Sequence, residues 1–324
     1  MYSLVEMLTY KRPVGSLTQK EFCQRFLKPH FGMPDIHGNY TLIIGDRPKV
    51  CFTAHHDTVH TTDGMQKIVI EDDIAKISIA GDSNCLGADC TTGIWLMLNM
   101  IEAKVEGIYV VHNAEESGCK GSRAMLSDYP LWLSHIDAVI SFDRYGKRSI
   151  ITHQMGVRTA SNNFAYSLAN ILDLPMDPDD GGSYTDSNEY ANDISECTNL
   201  SVGYLNQHTK GETQDLEFAD LLSERLIAAD WSKLVIERDP SDFETLDYTS
   251  YYRSAYNYDY SGYQGKDMAN IQTLEFMLLE YTMEIAEYLD SMGFYAESLC
   301  DELKLSDKQI SKLSQGYSDR YKYM

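Results

Sequence analysis

Over residues 1–237, short apolar runs alternate with stretches in which apolar positions return every three or four residues. Val50–Ala54 (VCFTA), Gly107–Val111 (GIYVV) and Ala138–Phe142 (AVISF) are apolar throughout and short, the pattern of strands buried on both faces. Thr91–Ala103 reads as a buried helix, Thr159–Leu172 as another, and Asp215–Glu237 as a long amphipathic one. Between Gln66 and Ile79, two alternating runs flank Asp72-Asp73, which predicts a hairpin. Strands interleaved with helices predict an α/β three-layer sandwich, with a mixed, mainly parallel central sheet, over 1–237. The pattern stops at Arg238. Residues 238–267 are rich in Tyr, Asp and Ser, as expected of a linker or a loop wrapped on the surface. From Met268 the periodicity turns helical (IQTLEFMLLEYTMEIAEYL), predicting a helical C-terminal appendage over 268–324. Those helices are expected to pack on the body or on a second copy, giving a homo-oligomer.

Composition narrows the function. Acidic residues outnumber Lys plus Arg by 49 to 27, a formal net charge of -22, which excludes a nucleic-acid partner needing a basic stripe. No apolar stretch approaches the ~18 residues of a membrane span. Met1 to Arg12 has no basic start followed by an apolar core, so no secretory signal is expected. The seven cysteines are odd in number, scattered, and form no C-x-x-C pair. That argues against a disulfide framework or a thiolate zinc site, and for a reducing, cytoplasmic setting.

Five segments concentrate metal-type ligands, most of them at the end of an apolar run. His55-His56-Asp57 closes a strand, where i and i+2 side chains share a face. An imidazole there can bind metal while the carboxylate orients it. Alone, the pair reads equally well as two buried polar residues. Leu86–Gly93 (LGADCTTG) opens a helix, where Asp89 would ordinarily be a cap. His112–Gly118 (HNAEESG) follows the strand GIYVV, and two adjacent glutamates there are costly to bury without a partner such as a metal ion. Ser141–Gly146 carries Asp143, and Gln207–Glu212 carries His208. In open α/β sheets, ligand sites collect at the carboxyl edge of the strands.

The set H-x-D (His55 to Asp57), G-A-D (Gly87 to Asp89), E-E-x-G-x-x-G-S (Glu115 to Ser122), F-D (Phe142, Asp143) and H-T-x-x-E (His208 to Glu212) resembles the co-catalytic dizinc exopeptidases and amidohydrolases. That clan holds leucyl-type aminopeptidases, acylases and zinc carboxypeptidases. Tyr184-Thr185-Asp186-Ser187 looks like the T-D/S-D segment before the last ligand. The resemblance covers residues 40–235 and is silent on the tail. It implies that His55 and Asp143 hold one Zn2+, that Glu116 and His208 hold the other, and that Asp89 bridges them. Asp57 then orients the site, and Glu115 is the catalytic acid/base. The N/O ligand set also suits Co2+ or Mn2+. Adjacent glutamates on an extended segment would point to opposite sides, leaving one free for proton transfer. Only Arg144 to Gly182 lies between the fourth ligand and the T-D segment, so no lid domain of the acylase kind fits. Cys90 stands where the aminopeptidase branch often has a second Asp.

The expected function is hydrolysis of a peptide or small amide bond, with an aminopeptidase preferred. Tyr184 is the candidate oxyanion donor, from its place beside Thr185-Asp186. Arg158 is the residue that would clamp a free substrate carboxylate, and so favour an N-acyl amino acid deacylase or carboxypeptidase instead. Asp179, Asp180 and Asp186 favour an α-ammonium group. The reading from another class is a non-catalytic metal-bound scaffold whose Tyr-rich segment and tail recruit a partner.

Overall fold

The computed structural model describes residues 2–129, 133, 135–242 and 244–245. One compact unit runs over residues 1–246 and a second over 247–324. The helices expected from Met268, and most of the Tyr-rich segment, lie outside the described residues.

A seven-stranded sheet organises the first unit, in the spatial order Asp177–Asp179, Ser149–Ile151, Glu196–Ser201, Ala138–Arg144, Val50–His55, Gly107–His112, Tyr40–Ile44. The four strands from Glu196–Ser201 to Gly107–His112 run parallel. Tyr40–Ile44 pairs antiparallel at one side, and Ser149–Ile151 antiparallel at the other. Val50–His55 and Gly107–His112 are buried at every position, as strands covered on both faces must be. Alternation sends Phe52, Tyr109, Val111, Ile140 and Phe142 into the larger core. It sends Cys51, Ile108, Val110, Val139 and Cys197 into a smaller core on the other face, against Met125, Tyr190 and Ile194. This is the expected three-layer sandwich.

Register already assembles part of a site. Val50–His55 pairs with Gly107–His112 so that His55 lies opposite His112, and Thr53 lies opposite Ser141 on the other side. Carried two residues further, the second pairing brings Asp143 level with His55. The helix Ala88–Glu102 packs across the same strands. Its Gly93 lies so close to the sheet that an added Cβ would stand 2.3 Å from the Phe142 carbonyl oxygen. The helix start is thereby pressed against the carboxyl edge.

A second, four-stranded antiparallel sheet joins Tyr204–Leu205, Thr213–Asp215, Ile74–Ile77 and Ile68–Glu71. The last two form the expected hairpin, and Asp72 and Asp73 turn it with φ of 50° and 59°. Two left-handed residues match the right-handed twist of a hairpin, and Asp tolerates that region better than most side chains.

The long C-terminal helix is shorter than its periodicity predicts, covering Leu216–Ala228. Asp230 ends it by capping a 3-10 turn, accepting from the Ser232 N–H, and that turn brings Trp231 edge-on to Phe52 at 4.8 Å. Buried Glu196 then accepts the N–H groups of Glu237 and Arg238, and the Arg238 guanidinium donates to the carbonyls of Ala191, Ile194 and Ser195. Residues 238–245 therefore continue along the body beyond the expected boundary at 237. Among the described residues, no helix is long and apolar enough to cross a membrane.

Candidate metal centre

Each segment of the sequence motif reaches the carboxyl edge of the sheet by a different local device. His55 is the last residue of its strand and is buried. Its Nδ1 faces Asp57 Oδ1 at 3.5 Å, and its Nε2 faces Asp143 Oδ1 at 3.6 Å and Glu115 Oε2 at 3.9 Å. Burial opposes a charge on this ring, but Cys90 and then the surrounding carboxylates outweigh it and raise its pKa well above the imidazole range. Asp143 is fixed from three directions. Its N–H donates to Asn199 Oδ1, its carbonyl accepts from the Tyr204 hydroxyl, and its Oδ2 accepts from Thr185 Oγ1 at 3.0 Å.

The Glu115–Glu116 segment is not extended. Ala114 has φ of 59°, and the loop closes by Gly118 and Cys119 N–H bonds to the Glu115 carbonyl. Both carboxylates therefore come within 4.8 Å of His55, contrary to the opposite-sides expectation, whose premise was an extended backbone. The loop is seated by Asp57, which is fully buried and accepts the Glu115 N–H on one oxygen and the Glu116 N–H on the other, both at 3.1 Å. Burial resists ionisation of Asp57, yet His55 and these donors hold its pKa below the usual carboxylate value. The glycines of the motif serve this loop. Gly121 sits where a Cβ would meet the Asn113 carbonyl at 2.4 Å. The motif's Ser122 donates to Asp186 Oδ1 at 2.6 Å.

Asp89 lies in the first turn of the Ala88–Glu102 helix. His208 Nε2 stands 3.0 Å from Asp89 Oδ2 and 3.1 Å from Glu116 Oε1. Those two carboxylates raise the pKa of the half-exposed His208 ring to about 11. His208 is presented at φ 61° by the turn between Tyr204–Leu205 and Thr213–Asp215, which the second sheet anchors.

The structure thus brings together His55, Asp57, Asp89, Glu115, Glu116, Asp143 and His208. It does not bring the two weaker candidates to this cluster. The Tyr184 hydroxyl donates to Glu189 Oε1 at 2.8 Å, and Arg123 lies over its ring. Arg158 pairs with Glu244 at 2.7 Å and donates to Asn162. Arg144 pairs with Asp179 at 3.1 Å and lies over the Tyr145 ring.

Three further residues belong to the site's support. Asp186, within the T-D segment, is buried with Oδ2 unpartnered, and burial raises its pKa to about 7. Arg12 is fully buried and donates from Nη2 to Thr91 Oγ1 at 2.7 Å and to Cys90 Sγ at 2.9 Å, just behind Asp89. Glu212, the last letter of H-T-x-x-E, accepts the N–H groups of Leu86, Gly87 and Ala88 at 2.7–3.0 Å. It satisfies donors at the start of the helix that carries Asp89. Glu212→Ala is expected to destabilise the fold by about 3 kcal/mol, the scale of several lost charge-assisted bonds, and to weaken metal binding through Asp89. Thermal melts with and without zinc would show both effects. An unchanged melt would remove this role.

The cluster fits metal ions by its donors. Two imidazoles and several carboxylates converge, and Asp89 is shared by a trio with His55 and Cys90 and a trio with Glu116 and His208. So many carboxylates this close, and largely buried, require compensating positive charge.

Residues 39–177 match the profile of peptidase family M28. No curated protein matches the chain. Among solved structures, the fold is similar to aminopeptidase PepT of Bacillus cereus, at 15% identity and a TM-score of 0.57, covering 69% of this chain and 95% of that one. It is also similar to a tripeptidase of Staphylococcus aureus, at 14% identity and a TM-score of 0.56, with coverage of 69% and 95%. The TET1 peptidase of Pyrococcus horikoshii, which can assemble into a tetrahedron or a large octahedral shell, matches at 16% identity and a TM-score of 0.51, with coverage of 70% and 98%.

Proposed function

We propose that this chain, whose residues 39–177 match the profile of peptidase family M28, is a metal-dependent aminopeptidase working with two zinc ions and Glu115 as its base. The observation that supports this most directly is the shared position of Asp89 between the His55 and His208 sides of the cluster. His55 and Asp143 would hold one ion and Glu116 and His208 the other, with Asp89 between them. When bound, the ions supply Lewis acidity to the scissile carbonyl and to the attacking water.

The chain's own residues do the rest. Asp57 Oδ1 stands 3.5 Å from His55 Nδ1, on the side of the ring away from the Nε2 that faces the cluster, and Asp57 holds the glutamate loop by two backbone N–H groups. Thr185 fixes one oxygen of Asp143 and leaves the other toward His55. Burial, with Asp143 and Asp186 nearby, raises the pKa of Glu115 well above the ordinary carboxylate value. A carboxylate so tuned takes a proton from water during attack and returns it to the leaving amine. The amino-terminal preference rests on charge. Asp186 adds a buried carboxylate with a free oxygen, which suits an α-ammonium group, while Arg158 is engaged by Glu244.

Metal analysis of the purified protein should give about two zinc ions per chain, and amino-acid anilides with a free amine should be cleaved in preference to N-acyl amino acids. No retained metal after zinc loading would sink the dizinc reading. Preference for the N-acyl series would replace the aminopeptidase by a deacylase.

A further inference from the structure

A cavity of about 440 Å3 lies apart from the ligand cluster, between the N-terminal helices and the loop that enters the strand Tyr40–Ile44. Its lining contains no Asp or Glu, although the chain carries 49 acidic residues, and it does contain Lys20 and Lys28. Its apolar surface comes from Val14, Cys23, Met33 and Pro34, and Val14 and Met33 are exposed. One wall is a π-helical turn, Cys23–Leu27, inserted between Leu17–Phe22 and Lys28–Phe31. Such turns are rare and occur often at functional sites.

The floor of the cavity joins two of the chain segments that build the metal centre. Gln19 donates from Nε2 to His56 Nδ1 at 3.0 Å and to Asn113 Oδ1 at 3.3 Å. His56 directly follows His55, and Asn113 precedes Glu115 by two residues. His56 is buried and also pairs with the Gly38 carbonyl at 3.1 Å. These floor groups already satisfy one another, so an occupant need not supply polar partners at depth. No carboxylate is there to hold an ammonium group.

We propose that this cavity binds a small amphipathic carboxylate, its apolar end against Cys23 and Met33 and its carboxylate at Lys20 and Lys28, and that occupancy is felt at the metal centre through Gln19. The binding stands independently of the hydrolytic reading; its effect on turnover rests on that reading. The probe is hexanoate, titrated calorimetrically into zinc-loaded and into chelator-treated protein, with hexylamine as the opposite charge. Hexanoate should bind both forms, and hexylamine neither. The double variant Lys20→Glu, Lys28→Glu should weaken hexanoate ~10-fold or more, while leaving peptide hydrolysis without hexanoate unchanged. In the zinc-loaded enzyme, hexanoate should alter turnover without competing with the peptide. Binding confined to the zinc-loaded form would place the carboxylate on metal and overturn the site. Undiminished binding by the lysine variant, equal binding of hexylamine, or no binding at millimolar hexanoate would overturn it too. Binding that leaves turnover untouched would overturn the coupling alone.

Discussion

Glu115→Gln is expected to lower turnover by ~10²–10⁴-fold while leaving metal content unchanged. The substitution keeps the shape of the side chain and removes its ability to accept a proton. The loop is held by backbone N–H bonds to Asp57 and by its own turn, so the amide does not disturb the seat of Glu116. Glu115 also lies beyond the oxygens that flank His208, the nearest being those of Asp89 and Glu116. Glu116→Gln should show the converse, with metal lost first and activity lost as a consequence. Steady-state kinetics beside metal analysis separates the two. Near-normal turnover by the Glu115 variant would remove it from the proton-transfer role, and loss of its metal would recast it as a ligand.

Zinc affinity is expected to fall ~10-fold per pH unit for each proton that the metal displaces, hence by ~10⁴-fold between pH 8 and pH 6 if both imidazoles give one up. Asp89 and then Glu116 raise the His208 pKa to about 11, and Cys90 and then the carboxylates around His55 raise that ring as well. Without metal, these shifts favour the cationic form of both rings, His208 the more clearly. The sign for the metal-free fold is opposite to that for metal binding. A His pKa raised above its unfolded value of ~6.5 gives stability that is complete below that value and is lost as pH rises through the folded one. Chelated protein should thus lose this contribution on approach to pH 11, while zinc binding tightens as the solution becomes more alkaline. Competition with a chromophoric chelator over a pH series measures the first slope, and thermal melts of chelated protein measure the second. A pH-independent zinc affinity would contradict protonated rings in the metal-free site.

Much of this was legible in the residues because it depends on short-range rules. Strands buried on both faces show as continuous apolar runs, as in Gly107–Val111, and the Asp72-Asp73 turn shows as a break between alternating runs. The segments carrying His55, Glu116 and Asp143 gather at one sheet edge because parallel strands end together, while Asp89 arrives there on a helix start and His208 on a turn of the second sheet. The long-range partners were not legible. Glu212 reaches a helix start more than a hundred residues earlier, and Arg12 reaches Thr91 from the N-terminal segment. Neither contact leaves a local signal, although the H-T-x-x-E motif did mark Glu212. Alternation misplaced the two glutamates because a left-handed Ala114 is a property of the folded loop. The helix from Asp215 was overextended because periodicity continues past Ala228, while the Asp230 cap and the Trp231–Phe52 contact end it.

The ligand-bearing segments are spread widely along the chain. His55 and His208 are separated by most of the sheet, and His208 meets Asp89 and Glu116 from a hairpin that pairs with the Ile68–Ile77 hairpin. Closing loops of that length costs chain entropy, which grows only slowly with length. A metal ion at this site would tie together distant parts of the chain, unlike the ion of a zinc finger, whose ligands are neighbours in sequence. Without an ion, His208 stands between Asp89 and Glu116 and supplies opposing charge at that edge. Metal binding would then exchange protons for ions at an edge that these contacts already hold together.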